Sequence, residues 1–282
     1  MVMQVVLNGV VLGAMIALVA LGFTLLFGVL RIVNFAHGTF YMLGAVIAFY
    51  IMQQSGVSFA CASVIAVGGV GLLGWAADRL IMYRFHGNLM EAMIVSIALM
   101  LGVQELLYIL WGPVQRGVPS VVTGMVKAFG VVISAERILT VVIAIASIVG
   151  LTLFIKKSRL GKAMRATQQD SEAASTLGVN TNYICGMTFA IAAGLAALAG
   201  VLQAPVTSIH PGIGTLPLYL AFIVVILGGL GSIPGTLIAS FIIGLQQSFT
   251  ATYWSSEFTV AVSFAVAMVI LLFRPKGIMG HE

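Results

Sequence analysis

The stretch NGVVLGAMIALVALGFTLLFGV, from Asn8 to Val29, carries no ionisable side chain. A run of about 20 apolar residues is long enough to cross the hydrocarbon core of a bilayer as an α-helix. It is too long for the core of a signal peptide, and no small-residue cleavage site follows a basic start, so it reads as a retained span. Working outward, comparable runs recur at 37–53, 57–77, 91–111, 137–155, 182–203, 215–231, 235–252 and 257–273. The predicted fold class is an all-α polytopic integral membrane protein of about 8–10 transmembrane helices, some discontinuous, forming one domain over residues 1–282. Composition agrees, with 61% hydrophobic and 7% charged residues against about 25% charged in a soluble domain. The net charge of +5 therefore reports membrane topology and is no argument for nucleic acid.

The longest polar interval is KKSRLGKAMRATQQDSEAASTLGVN, Lys156 to Asn180. Its basic residues place it in the cytoplasm, which puts the N-terminus outside and the C-terminus inside. Inside positions then carry Arg31, Arg79, Arg84, Lys156, Lys157, Arg159, Lys162, Arg165, Arg274 and Lys276, against Arg116, Lys127 and Arg137 outside, as the positive-inside rule requires. Within the interval an Ala-spaced amphipathic stretch ends in Glu172, Ala173 and Ala174, with Gly178 soon after. That spacing predicts one short surface helix closed by a glycine turn, able to dock into a groove of another subunit.

Two places interrupt apolar runs with small and polar residues: RIVNFAHGTF, Arg31 to Phe40, and LGGLGSIPGT, Leu227 to Thr236. Pro234 cannot donate to a helix ladder, and the surrounding glycines permit tight backbone, so both read as helix breaks in or near the membrane. They are expected either as discontinuous helices of two related halves flanking a translocation path or as ordinary hairpin turns. Asn34 and His37 either line the path or cap the helix that begins there. Glu105, a carboxylate inside a span, is either functional or hydrogen-bonded for helix packing. Asp78 with Arg79, and Glu136 with Arg137, read as interfacial anchors, and Ala192, Ala196 and Gly200 as a close-packing stripe.

Cys61 and Cys185 sit in apolar runs and suggest neither a disulfide framework nor a metal site. No phosphate-loop, HExxH or GxSxG motif occurs, so no catalytic residue and no ATP site is assigned to this chain. Energy for transport is expected from outside it, through the cytoplasmic loop.

In order along the chain, VNFAHG (Val33 to Gly38), GKAMRATQQDSEAASTLGVN (Gly161 to Asn180), FAIAAGLAALAGVL (Phe189 to Leu202), VILGGLGSIPGTLI (Val225 to Ile238) and RPKGIMG (Arg274 to Gly280) together resemble the permease subunits of bacterial ATP-binding cassette (ABC) importers for branched-chain amino acids. The compact form resembles the shorter of the two paired permeases. The resemblance implies a second homologous permease, two ATP-binding subunits that hold ATP and Mg, an extracytoplasmic binding protein, and the bacterial inner membrane as location; no cofactor or metal is implied in this chain. It assigns coupling to Gly161, Arg165, Glu172, Ala173, Ala174 and Gly178, although the later I-x-L-P part of the family's coupling motif is absent. The path is assigned to Asn34, His37, Gly38, Gly228, Gly229, Gly231, Ser232 and Gly235. Importers of urea, amides or other amino acids, and a self-sufficient secondary transporter, are the alternatives.

Overall fold

The computed structural model describes residues 1–119, 122, 124–128 and 131–280. Each of the nine predicted spans is a helix: α1 (Val2–Leu30), α2 (His37–Ser55), α3 (Phe59–Leu80), α4 (Leu89–Trp111), α5 (Ala135–Lys157), α8 (Thr181–Gln203), α9 (Thr215–Gly228), α10 (Ile233–Tyr253) and α11 (Thr259–Phe273). The polar interval forms α6 (Arg159–Gln169) and α7 (Ser171–Thr176), and a hairpin of β1 (Met125–Ala128) and β2 (Val131–Ser134) precedes α5. Among the described residues six helices, including α1, α3, α4, α5 and α8, are long and apolar enough to cross a membrane. By contrast α9, with 14 residues, is only about 21 Å long and cannot span a core of about 30 Å.

Two faces are defined by contact. At one, Gln4 exchanges hydrogen bonds with the backbone of Val132, and Arg116 bridges to Ile209. At the other, the Arg31 guanidinium reaches the Gln168 carbonyl, and the tail after α11 packs on Gly228 and Gly229. The second face carries the ten basic residues assigned inside, the first the three assigned outside.

The chain leaves α1 at Arg31, whose left-handed φ of 55° closes the helix, and then runs back into the membrane. By His37 it has returned to the level of Val19, whose carbonyl oxygen lies 2.9 Å from the His37 Nε2. The exposed backbone of this re-entrant piece is satisfied locally, Phe35 N–H donating to Ser96 Oγ at 3.0 Å and Ala36 N–H to Asn34 Oδ1 at 3.0 Å. From the opposite face residues 204–214 do the same after α8, so that α9 starts at Gly214 in contact with Gly38. α2 and α9 are therefore half-helices that begin at mid-membrane and run to opposite faces.

These pieces form an inverted repeat. α1–α4 and α8–α11 run in opposite senses, and their packing matches: α1 lies along α10 as α8 lies along α3, and α2 meets α8 as α9 meets α1. Short echoes accompany it, with Gly38-Thr39 and Gly214-Thr215 opening the two half-helices and Gly-Val-Leu ending runs in both α1 (Gly28–Leu30) and α8 (Gly200–Leu202). The counterpart of the Arg31 break is thus 204–214, and not Leu227 to Thr236. The latter is the tight turn between α9 and α10, where Gly229 (φ 101°) and Gly231 (φ 80°) take conformations that favour glycine.

Lipid tails compete with side chains for apolar contact, so packing here depends on close approach. A Cβ on Gly244 of α10 would overlap the Gly13 N and Cα of α1, and one on Gly44 of α2 would overlap Ala197 of α8. The Ala192, Ala196 and Gly200 stripe is buried in this seam, with Gly200 beneath the Tyr41 carbonyl. Thr24 and Thr236 add a 2.7 Å hydroxyl pair between α1 and α10. Replacing Gly244 by Val is expected to destabilise the folded protein by about 1–3 kcal/mol through overpacking. Gly68→Val, where the space is open, leaves the melting temperature in detergent unchanged; equal melting of the two variants would refute the seam.

Candidate translocation path and coupling surface

On the basic face, the polar interval folds as two helices where one was expected. Asp170 stops α6, and its side chain accepts from the Glu172 and Ala173 N–H groups at 2.9 and 3.0 Å, so it caps α7 and competes with continuation of the first helix. Gly161 is packed so closely on Ile155 at the end of α5 that no Cβ fits. Arg165, exposed, donates through Nη1 to the Ile155 carbonyl at 3.0 Å. These two residues fasten α6 under α5. Ala174 is buried, whereas Glu172 and Ala173 are exposed. Gly178 makes the expected turn at φ 84°, with its N–H bonded to Ser175 O and that of Val179 to Ala174 O.

Sequence reasoning missed two residues of this surface. Leu177, at the tip beside Gly178, is 85% exposed, an apolar knob in a polar loop; its place before the glycine was the available signal. Gln168 links α6 to the transmembrane helices: its Nε2 donates to the Gly231 carbonyl at 3.3 Å and lies over Gly28 of α1. No local pattern signals that pairing, because its members are 63 residues apart.

The assigned path residues fall into two groups. Asn34, His37 and Gly38 lie at the mid-membrane crossing of α2 and α9, all buried. There Gly38 and Gly214 stand too close for a Cβ on either. The Asn34 Nδ2, His37 Nδ1 and Thr39 Oγ1 atoms are buried without a partner among the described residues. Gly228, Gly229, Gly231, Ser232 and Gly235 lie at the basic face instead. Gly228 is pressed on Gly235 in the turn, and Gly229 on Gly277 and Gly280 of the tail. Ser232 Oγ caps α10 through the Gly235 N–H at 3.3 Å. The structure thus joins this turn to α6 through Gln168 and separates it from His37.

Charged residues in or near the spans find particular partners or none. Asp78, read as an interfacial anchor with Arg79, points away from it, because neighbours on a helix do not face each other. It is buried and meets His86 Nε2 at 2.8 Å, while Arg79 lies over the Trp75 ring. Glu105 makes no packing hydrogen bond with a described residue and is exposed on α4, a peripheral helix with few buried positions. Arg137, at the start of α5, donates through Nη1 to Asn8 Oδ1 on α1 at 3.1 Å.

Cavities open on both faces. On the basic face a space of about 640 Å³ is bounded by Arg31, His86, Thr167, Asp170, Glu172 and Cys185; the coupling helices form one of its walls. On the other face a mouth of about 340 Å³ leads to a chamber of about 130 Å³, both between α1, α8 and α10. Among the described residues no group of three or more His, Cys, Asp or Glu could hold a metal ion.

Similarity to known proteins extends over this whole architecture. The family described as "Branched-chain amino acid transport system / permease component" matches residues 5–272. The high-affinity branched-chain amino acid transport system permease protein BraD of Pseudomonas aeruginosa is 34% identical over 295 residues, covering 99% of this chain and 96% of that protein. LivH of Escherichia coli K12, with the same description, is 34% identical over 296 residues, with the same coverage. A probable branched-chain amino acid transport permease, LivH of Methanocaldococcus jannaschii, is 27% identical over 298 residues, covering 99% and 93%. No solved structure matches the chain. With a multi-pass helical fold and a family match over nearly its full length, the chain belongs to the permease components of branched-chain amino acid transport systems.

Proposed function

We propose that the chain is the transmembrane permease subunit of an ATP-binding cassette importer for leucine, isoleucine and valine in the bacterial inner membrane, with its basic face in the cytoplasm. A second homologous permease completes the path, two ATP-binding subunits hydrolyse ATP, and an extracytoplasmic binding protein delivers substrate. The observation that carries this reading is the near-complete match to permeases named for branched-chain amino acid transport, on a chain whose longest polar interval forms α6–α7.

The geometry suggests how force would travel. An ATP-binding subunit seats against Glu172, Ala173, Leu177 and the Gly178 turn, with Ala174 holding α7 to the body. Gly161 and Arg165 fix α6 to α5, so movement of α6 is passed through Gln168 to the Gly228 to Gly235 turn. That turn is the lower end of α9, whose upper end is the Gly38–Gly214 crossing beside Asn34 and His37. Bounded by glycine at both ends, α9 is free to rock as a unit and to open the path toward one face at a time.

Copurification tests the assembly directly: an ATPase should come down with the chain when the neighbouring genes are co-expressed, and leucine uptake should vanish on ATP depletion. Uptake in proteoliposomes holding this chain alone would overturn the reading in favour of a carrier. Gly178→Pro removes a donor and fixes φ at a position needing a positive angle, and Glu172→Arg reverses charge on the docking face. Both are expected to lower uptake at least about tenfold while ATP hydrolysis continues and the protein still inserts. For orientation, a Ser171→Cys side chain should react with an impermeant thiol reagent from the cytoplasmic side only, and a Ser256→Cys side chain from outside only, with Cys61 and Cys185 replaced. Reversed labelling would invert the topology.

A further inference from the structure

The outer mouth and the chamber beneath it combine two unlike linings. In the mouth, Arg137 of α5 is the one charged side chain among the described residues lining either cavity. One of its N–H groups is used by Asn8 Oδ1, and a guanidinium has five. Beside it stand Thr140, buried, and Gln203, neither of whose side chains bonds to a described residue. Leu12, Met15 and Gln203 line both spaces, so the mouth continues into the chamber. The chamber is lined by Ile16, Val19, Leu216 and Leu220, with buried Tyr41 and Gln247 joining Gln203 as its polar members. At about 130 Å³ it far exceeds the roughly 10–15 Å³ that holds one water. Its floor is Val19, whose carbonyl oxygen meets His37 Nε2, and the first turn of α9 at the mid-membrane crossing.

We propose that this two-part space is the permease's own entry site for a neutral aliphatic amino acid, with Arg137 taking the carboxylate and the chamber taking the branched side chain. A planar guanidinium suits a carboxylate through paired N–H donors. Thr140 and Gln203 supply the acceptors that the ammonium group needs. The apolar chamber rejects a charged side chain, since burying an unpaired charge there is prohibitive. Urea and simple amides lack the carboxylate and gain nothing from Arg137. The floor at Val19 and His37 stops the substrate halfway, below which the coupled movement of α9 has to admit it to the inner space.

The inference rests on the importer reading, and the test separates the two. In proteoliposomes holding the complete importer, leucine uptake by the wild type checks the reading itself; uptake of urea without leucine would sink that reading. Given leucine uptake, Arg137→Gln should lower it about tenfold or more, and Arg137→Lys, which keeps the charge without the paired donors, should recover only part of it. Unchanged uptake in Arg137→Gln would overturn the site. A second measurement keeps Arg137 intact: with Thr207→Cys at the mouth and the native cysteines replaced, millimolar leucine should slow labelling by an impermeant maleimide from outside, and glutamate or urea should not. Labelling insensitive to leucine, or slowed equally by all three, would also overturn the site, even if Arg137→Gln fails to fold.

Discussion

Inside a bilayer every backbone N–H and C=O needs a partner, because no water is available to supply one. The rest of this structure depends on how that constraint is met at one place, the crossing of Gly38 and Gly214. Two chain segments abandon helical geometry there, one from each face, and the freed groups find Ser96 Oγ, Asn34 Oδ1 and, at the far side, His210 Nδ1, which accepts from Gly212 N–H at 3.2 Å. Side chains at the contact would hold the two turns apart and leave those groups in hydrocarbon. Glycine at both positions lets the half-helices start in the middle of the protein.

Starting helices at mid-membrane has a mechanical consequence. α2 starts only at the crossing and α9 is too short to fill the full thickness beside its neighbours, so space opens above and below the crossing while the crossing itself stays closed. α9 is held by glycine-rich contacts at both ends and is only 14 residues long; it is a rigid element with two joints. One joint touches the coupling helix through Gln168 and Gly231, and the other closes the floor of the outer chamber. The α6 surface and the Gly38–Gly214 crossing are therefore joined by one short helix, without a long chain of polar interactions.

The inverted repeat explains why the two faces resemble each other in architecture and differ in chemistry. Packing through Gly13, Gly44 and Gly244 is shared between the halves because lipid offers no hydrophobic drive and only backbone approach distinguishes protein from solvent. The faces themselves are free to diverge. The interval joining the halves supplies α5, α6 and α7, which have no counterpart in the repeat, and these bring Arg137 to one cavity and Asp170 with Glu172 to the other.

Read alone, the sequence determined the class and the positions of the apolar helices, because runs such as Asn8 to Val29 are set by the thickness of hydrocarbon and need no partner to be recognised. It also determined the glycine turn at Gly178 and the break at Leu227 to Thr236, since positive φ and a missing donor are properties of single Gly and Pro residues, and it marked the break after Arg31 by its small and polar residues. Only the tertiary structure decided which break matches which, because the counterpart at 204–214 carries no charge and little glycine excess and is defined by the helix it meets. It likewise separated the Gly228 to Gly235 turn from His37, paired Asp78 with His86, and set Gln168 on Gly231. Those contacts join residues far apart in the chain, and no local spacing or propensity encodes them.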